Sequence, residues 1–351
     1  MKRLPQVTVA ITGLSATDNP APGVAVARCL RQAREFRGKL IGLTFDHRHT
    51  GLYASEIFDK VFVVPAPARG AESFCHALKE ICRTNPIQIL FPTLDPEVLL
   101  AAKAERTLNG LGIHCLLPDE RQIRRRSKVE LPALARRVGF SSPRTLVLSS
   151  GASLRTALQH FSYPFYLKGS FTDAQLVSNQ IEAERAFARL SGQWGFPLLA
   201  QERVAGEELD LAILADQRHR LVGAVAMKKL GLTDRGKGWA GITVQAPEII
   251  EKAEALVRTL RWVGPAEVEM IHDPQRGAVS LIEVNPRFPA WIALSAAAGQ
   301  NLPLMAFRLA LGLTVAPAKP YVVGCLFTRS VEDFFQPFER VAALAELEGL
   351  R

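Results

Sequence analysis

The chain has 351 residues, of which 48% are hydrophobic and 22% charged, and its formal net charge is +9. This composition is that of an ordinary soluble globular protein with two or three domains. The positive charge favours an anionic partner such as a nucleotide. No Lys/Arg block is interleaved with aromatic residues and no apolar run is long enough to span a bilayer, which argues against nucleic-acid and membrane partners.

The cysteines predict a reducing compartment. There are five of them, an odd number, scattered and without a CxxC pair. The short run Val7 to Leu14 follows Met1-Lys2-Arg3, but it is rich in β-branched residues, which favours a buried first strand over a signal peptide. We therefore expect a cytoplasmic protein with inert thiols.

The first 118 residues alternate between apolar runs and helical patterns. The predicted strands are Val7–Gly13, Leu40–Phe45, Val61–Val64, Ile87–Phe91 and Ile113–Leu117. The predicted helices are Val24–Arg34, Glu72–Arg83 and Pro96–Asn109. Such alternation predicts a parallel, doubly wound, Rossmann-like α/β sheet.

The loop after the first strand does not have the dinucleotide fingerprint. The next glycine after Gly13 is Gly23, so the G-x-G-x-x-G spacing is missing and NAD is not expected. Asp95 and Glu97 follow the fourth predicted strand. They are candidates for binding a substrate amine, and a helix N-terminus with a first-turn acid explains them equally well.

Two basic segments follow. The run Phe161–Lys168 predicts a strand whose final lysine points into a cleft, where it can neutralise phosphate oxygens. The segment Gly231–Gly238 nearly matches a P-loop, but Gly238 replaces the Mg²⁺-binding hydroxyl, and Trp239–Gln245 predicts a strand where a P-loop needs a helix. We interpret this segment as a flexible basic loop over a phosphate or acyl acceptor, with Lys228, Arg235 and Lys237 as candidates.

The rest of the chain contains further regular elements. Pro247–Leu260 is predicted to form an amphipathic helix and Phe288–Gly299 an apolar helix. Tyr321–Thr328 is predicted to form a strand, which a terminal helix follows.

The run Val279–Arg287 has the chemistry of a metal site. Glu283 and Asn285 are two residues apart on a predicted strand, so both side chains point to one face and offer the oxygens that Mg²⁺ prefers. Ala266–His272 predicts the partner strand, in which either Glu267 or Glu269 faces Glu283. A solvated hairpin with an acidic edge is the alternative. Arg287 follows with a planar charge suited to phosphate or an oxyanion.

Glu283-Val284-Asn285-Pro286-Arg287 resembles the metal-binding signature of the ATP-grasp superfamily, nearest the carbamoyl-phosphate synthetase large-subunit-like branch, and Gly264–Glu269 resembles its partner strand. The resemblance implies a pre-ATP-grasp domain over residues 1–118. An ATP-grasp domain over 119–351 would follow, with a lid subdomain at about 145–203 and an antiparallel-sheet core at 204–351. The implied fold class is thus α/β and α+β.

The resemblance also implies the site residues. Glu269, rather than Glu267, joins Glu283 and Asn285 in holding two Mg²⁺ ions, with Mn²⁺ as an alternative. The residues implied to bind ATP are Lys128, Lys168, Ser170, Gln201, Glu202, Val204, Glu208 and Lys228. Of these, Glu202 and Val204 read the adenine through their backbone and Glu208 accepts from the ribose hydroxyls. They belong to the run Leu198–Asp210, which resembles the family's hinge strand; a surface hairpin with a glycine turn is the alternative. The loop after Lys168 departs from the family, because a glycine-poor Gly169–Ala174 replaces the usual proline and glycines.

The implied reaction is ATP-dependent ligation of a small carboxylate to an amine, such as an amino acid or peptide, through an acyl phosphate. Arg287 stabilises the oxyanion, and Lys237 and Arg235 assist. Homodimers are common in the superfamily. Two alternatives are a non-catalytic nucleotide-binding module and a Rossmann-type oxidoreductase.

Overall fold

The computed structural model describes residues 6–17, 20–170, 173–233, 236, 238–330, 333–335, 337–339 and 341–342. The chain divides into two compact units. The first unit comprises Met1–Glu120, Asp210–Glu267 and Asn285–Arg351, and the second comprises Arg121–Leu209 and Val268–Val284.

The N-terminal part of the first unit is a parallel sheet with helices. Its strands are β1 (Thr8–Ile11), β2 (Lys39–Thr44), β3 (Lys60–Val63) and β4 (Ile89–Phe91), in the order β3-β2-β1-β4. Its helices are α1 (Gly23–Arg31), α2 (Gly70–Thr84), α3 (Asp95–Lys103) and α4 (Glu105–Gly110). β1 pairs in parallel with β2 and β4, and β2 with β3. The predicted parallel Rossmann-like sheet is therefore confirmed.

Gly13 makes the tight turn from β1 toward α1. Its φ is +68°, a left-handed conformation that glycine adopts without strain, and a Cβ there would lie 2.1 Å from Thr93 Oγ1. The turn brings Gly23 N to Gly13 O at 3.1 Å. The glycine is thus required by its positive φ and by close packing.

The remaining elements of the chain follow in order. The helices are α5 (Glu120–Arg125), α6 (Leu131–Arg137), α7 (Gly151–His160), α8 (Gln180–Trp194), α9 (Pro247–Leu260), α10 (Ala293–Ala297) and α11 (Leu302–Ala310). The strands are β5 (Thr145–Leu148), β6 (Phe165–Gly169), β7 (Ala174–Val177), β8 (Leu198–Glu202), β9 (Glu207–Ala215), β10 (Leu221–Leu232), β11 (Gly238–Thr243), β12 (Gly264–Asp273), β13 (Ala278–Asn285) and β14 (Leu326–Thr328). A six-stranded sheet has the order β13-β12-β9-β10-β11-β14.

The second unit contains an antiparallel sheet in the order β5-β8-β6-β7. Alternate apolar residues of these strands pack against α7 and α8, with Phe165, Leu167 and Leu198 fully buried. Asn179 caps α8 by accepting from Glu182 N at 2.9 Å. Lys168 and Gln201, both polar, are buried in this sheet as well.

Four sequence predictions of secondary structure are wrong in part. Ile113–Leu117 forms only an isolated bridge, between His114 and Ile89. The predicted helix Phe288–Gly299 is helical only over α10, and the predicted strand Tyr321–Thr328 only over β14. The hinge run Leu198–Asp210 is two strands, β8 and β9. The break includes Gly206, where a Cβ would lie 2.3 Å from His272 O. The predicted C-terminal helix falls mainly outside the described residues.

Two other observations bear on the sequence predictions. The P-loop-like segment leads into β11, which pairs antiparallel with β10, so a strand and not a helix follows it. Within the part of the chain that the structure describes, no helix combines the length and apolarity needed to cross a bilayer.

Glu97 is a buried acid of the first unit. Its carboxylate accepts from the Thr12 hydroxyl and from Leu94 N at 3.1 Å, at the start of α3. The helix-start explanation therefore accounts for Glu97. Burial raises its pKa to about 7, against the opposing effect of these hydrogen bonds.

We expect Glu97→Gln to stabilise the protein at pH 8. Because the folded-state pKa lies above the ordinary value of 4.5, the folded state retains a proton that the unfolded state releases between pH 4.5 and 7, so the wild type loses stability as the pH rises through that window. The neutral glutamine avoids a loss on the order of 2–3 kcal/mol. Urea unfolding at pH 5 and pH 8 measures the difference. The exposed first-turn acid Glu72 of α2 supplies the control, Glu72→Gln, for which no such pH-dependent gain is expected. Equal effects of Glu97→Gln at the two pH values would contradict the prediction.

Candidate functional site

Lys168 lies near the end of β6 in the middle of the antiparallel sheet of the second unit. It is only 8% exposed, and its Nζ donates to Gln201 Oε1 on β8 at 2.6 Å. Gln201 in turn donates from Nε2 to Thr145 Oγ1 on β5 at 3.1 Å. Three strands thus fix the position of this ammonium group, as expected for a residue that must meet a ligand in one place.

Lys168 shares its surroundings with three other predicted site residues. Burial, and then the nearby Lys128, lower the pKa of Lys168 to about 8, while Glu283 and Glu269 act in the opposite direction. Lys128 Nζ lies 3.3 Å from Glu283 Oε1. The structure therefore brings Lys128, Lys168, Glu269 and Glu283 together; we call these four residues the lysine–glutamate cluster.

The segments on either side of α6 are anchored to β13 by hydrogen bonds within the second unit. Arg126 Nη1 donates to Val284 O at 2.9 Å. Ser141 N donates to Val279 O, and Leu281 N to Ser141 O, both at 2.9 Å. These contacts explain how Lys128, 155 residues before Glu283 in sequence, comes to lie beside it.

The predicted nucleotide-binding residues near β8 lie on different parts of the chain. Glu202 ends β8, and its Oε1 accepts from Arg144 N at 2.6 Å. Val204 lies between β8 and β9, and Glu208 lies on β9. Ser170 follows β6 and donates to Pro197 O at 2.5 Å, so its hydroxyl proton is engaged by the protein.

Arg287 belongs to the first unit and holds two carboxylates there. Its Nε lies 3.0 Å from Asp95 Oδ1 and its Nη1 lies 2.9 Å from Glu267 Oε2. Glu267 is 6% exposed and also accepts from Asn285 Nδ2 at 3.2 Å and from Trp291 Nε1 at 3.1 Å. Asp95 is therefore an ion-pair partner of Arg287. Sequence reasoning did not find this network, because its members lie up to 196 residues apart.

The basic residues of the β10–β11 hairpin are only partly described. Lys228 is half-buried on β10. Its neighbour Lys229 points to the opposite face of the strand, and its Nζ lies 3.3 Å from the buried Asp210 Oδ1. The sequence pattern indicates no role for Lys229, and the structure shows it as the buried ion-pair partner of Asp210. Arg235 and Lys237 lie outside the described residues.

The predicted metal ligands comprise two carboxylates, from Glu269 and Glu283, and the side-chain amide of Asn285. Among the described residues, no group of three or more His, Cys, Asp and Glu side chains could hold a metal ion. Glu269 and Glu283 of the second unit supply carboxylate oxygens. Asn285, in the first unit, commits its amide nitrogen to Glu267, so its oxygen is the atom that suits a cation. Mg²⁺ bound with a nucleotide takes few protein oxygens, and water and phosphates supply the other ligands. The two carboxylates of the second unit fit that pattern.

Comparison with protein-family models gives a match over part of the chain. Residues 196–332 match the family described as ATP-grasp in the biosynthetic pathway with Ter operon. The matched region begins before β8 and ends beyond β14, so it includes both strands that carry the predicted metal ligands.

Curated relatives and solved structures agree with this match. The large chain of carbamoyl phosphate synthase from Kocuria rhizophila is 24% identical over 281 residues, which cover 74% of this chain and 25% of that protein. The chain thus spans about a quarter of the length of this relative. The ADP complex of N5-carboxyaminoimidazole ribonucleotide synthetase has a TM-score of 0.68 at 14% identity, covering 91% of this chain and 81% of that one. The L-amino acid ligase of Bacillus licheniformis has a TM-score of 0.64 at 16% identity, covering 90% and 76%. These likenesses confirm the predicted fold class.

Proposed function

We propose that this chain, an ATP-grasp protein, is an ATP-dependent carboxylate–amine ligase that forms an amide or peptide bond and releases ADP and phosphate. The observation that carries the proposal is the lysine–glutamate cluster. A buried lysine with a lowered pKa, next to a second lysine and two carboxylates, is a costly arrangement for a purely structural role. A polyphosphate with its metal would stabilise it, because the anion pairs with the lysines and the cation with the carboxylates.

The proposed roles follow the chemistry of each side chain. Lys128 and Lys168 neutralise phosphate oxygens, and Glu269, Glu283 and Asn285 hold Mg²⁺. The metal supplies further charge neutralisation at the phosphates when bound. The backbone near Glu202 and Val204 binds the adenine, and Glu208 binds the ribose. Ser170 and Gln201 act by positioning, since the former bonds to Pro197 and the latter orients Lys168.

The proposed reaction has two steps. A carboxylate oxygen of the first substrate attacks the γ-phosphorus, and the bond from that phosphorus to the β-phosphate oxygen breaks to release ADP. The amine nitrogen of the second substrate then attacks the acyl carbon, phosphate leaves with the electron pair of the C–O bond, and the nitrogen loses a proton. Catalysis is mainly positioning and charge neutralisation, with Arg287 next to the developing oxyanion.

ADP release measured over a panel of small carboxylates paired with amines tests the proposal. A ligase produces ADP and phosphate in equal amounts, only when both substrates are present. ATP binding without turnover across the whole panel would instead identify a non-catalytic nucleotide-binding module. NAD binding without ADP formation would identify an oxidoreductase.

We expect Glu283→Gln to lower ADP release about 100-fold or more, because the amide is a weaker ligand for a hard cation than the carboxylate is. The steady-state rate with the best substrate pair, measured over a range of Mg²⁺ concentrations, checks this. Excess Mg²⁺ should recover part of the loss. Glu184→Gln, on the exposed face of α8 in the same unit, is the matched control. An unchanged rate in Glu283→Gln would remove Glu283 from the metal site.

A further inference from the structure

The first unit contains a partly open cavity that the proposed roles leave unexplained. Its volume is about 290 Å³, and its walls come from α1, the loop after β1, the start of α10 and the segment that follows β14. This volume is near the lower end for small-molecule sites, and a cavity of about 150 Å³ already holds a benzene ring. The space is therefore suited to a ligand of the size of one amino acid.

The wall is small and apolar with a few aromatic rings. The small residues of the lining include Ala25, Gly51 and Ala293, and its aromatic residues include Trp291 and Phe327. Such a lining favours a ligand with an apolar body, because burying apolar surface contributes roughly 25 cal/mol per Å².

Two arginines are the charged residues among the described residues that line the cavity. Arg28 projects from α1, and Arg329 follows β14. Arg329 donates to Gly238 O at 3.0 Å and to Ala290 O at 3.4 Å, which occupies two of the five donors of a guanidinium. Burial lowers the pKa of Arg329, and within the described part of the chain no acidic side chain pairs with it. A carboxylate would supply the missing counter-charge, and the planar guanidinium suits that group.

The cavity wall is connected to the arginine of the proposed site. Trp291, which lines the cavity, donates to Glu267, and the same carboxylate holds Arg287. One buried acid therefore fixes both a wall of the cavity and the group proposed to stabilise the oxyanion. All of these contacts lie within the first unit.

We propose that this cavity binds the amine substrate of the ligase, and that this substrate is an apolar α-amino acid. Its carboxylate meets Arg28 and Arg329, and its side chain lies among the alanines and aromatic rings. The proposal rests on the function proposed above. It assigns the amine and not the activated acid, because a carboxylate paired with arginine is a poor nucleophile.

The charge of the lining also suits an amine that must react. An ammonium group near two guanidinium groups is disfavoured, so the amino acid is bound more readily with its nitrogen neutral, which is its nucleophilic form. The described lining contributes no acidic side chain that would hold the ammonium form. Asp18 and Asn19 lie outside the described residues.

Direct binding and turnover together test this proposal. Calorimetry of the full chain, with a non-hydrolysable ATP analogue and Mg²⁺, measures the Kd of leucine, phenylalanine, glutamate, lysine and leucinamide. We expect leucine and phenylalanine to bind at least tenfold more tightly than glutamate or lysine. Leucinamide, which lacks the carboxylate, should bind at least tenfold more weakly than leucine.

Two variants place the ligand in this cavity. Arg28→Gln removes one charge and Ala293→Leu fills the space, and each should weaken leucine binding at least tenfold while the Kd of the ATP analogue is unchanged. Arg34→Gln and Ala297→Leu, on the same two chain segments but outside the cavity lining, are the matched controls.

The outcomes separate this proposal from the ligase proposal. Leucine binding that both variants weaken supports the cavity as an amino-acid site, and amine-dependent ADP release that requires the same residues supports its role in the ligase. Binding without ADP release over any carboxylate contradicts the ligase function and thereby the amine role, but leaves the amino-acid site supported. Absence of amino-acid binding in the wild type, or binding that neither variant weakens, overturns the cavity proposal while the ADP assay still decides the ligase function.

Discussion

Lys168→Met is expected to lower kcat/KM for ATP by about 100- to 1000-fold, the effect of removing one preorganised charge from a site where negative charge develops. The residue is buried and its ammonium group is held by Gln201, so its charge has a fixed position in the second unit. ADP release at limiting ATP measures the loss. Methionine has similar length without charge, so the apolar packing of the stem is largely retained.

The pH dependence of nucleotide binding distinguishes a phosphate-binding lysine from a structural one. Because burial and Lys128 lower the pKa of Lys168 to about 8, the charged form predominates below pH 8 and is lost above it. ATP affinity should therefore fall as the pH rises through 8 in the wild type, and this decrease should be absent in Lys168→Met. The exposed lysine of α2 provides the control, Lys79→Met, which should retain the wild-type profile. An unchanged kcat/KM in Lys168→Met would contradict the proposed role.

Arg287→Met is expected to reduce both stability and turnover. It leaves the buried Glu267 carboxylate without its cation, and removing one partner of a buried ion pair costs about 3–5 kcal/mol. If the same guanidinium stabilises the oxyanion, ADP release falls about 100-fold or more. Urea unfolding and the ADP assay measure the two effects separately.

A double variant separates the structural role of Arg287 from the chemical one. Adding Glu267→Gln removes the orphaned charge, so the double variant should regain most of the lost stability and still lack ADP release. Recovery of turnover together with stability would show that Arg287 acts only as the ion-pair partner of Glu267. A single variant as stable as the wild type would contradict the estimate for the ion pair.

Local patterns predicted most of the regular elements. The helix Pro247–Leu260 has the predicted bounds, because proline begins it and an apolar stripe defines its inner face. The errors lie in segments whose structure depends on pairing with other parts of the chain or on nearby prolines. The apolar run Ile113–Leu117 pairs only at His114. The run after Arg287 has helical composition, but the prolines at 286 and 289 delay its helix to Ala293.

The residue types of the candidate site could be predicted from the sequence, but the contacts between these residues could not. Spacing placed Glu283 and Asn285 on one strand, yet left Glu267 and Glu269 as alternatives. The structure gives Glu267 three donors, from Asn285, Arg287 and Trp291, whereas Glu269 acts on Lys168. That difference depends on contacts between distant segments, which no periodicity in the sequence encodes. Glu269 and Glu283 are predicted metal ligands, and the Glu283→Gln variant tests this prediction.

The second unit is built from two separate stretches of chain, with Asp210–Glu267 inserted between them. Lys128 and Lys168 are therefore synthesised well before Glu269 and Glu283. During translation the two lysines lack the neighbouring carboxylates until residues 268–284 have been made. No continuous fragment that ends before Val268 contains the lysine–glutamate cluster. A chain truncated there would contain the whole β5-β8-β6-β7 sheet with both lysines but neither carboxylate, so competence to bind nucleotide should arise late in synthesis.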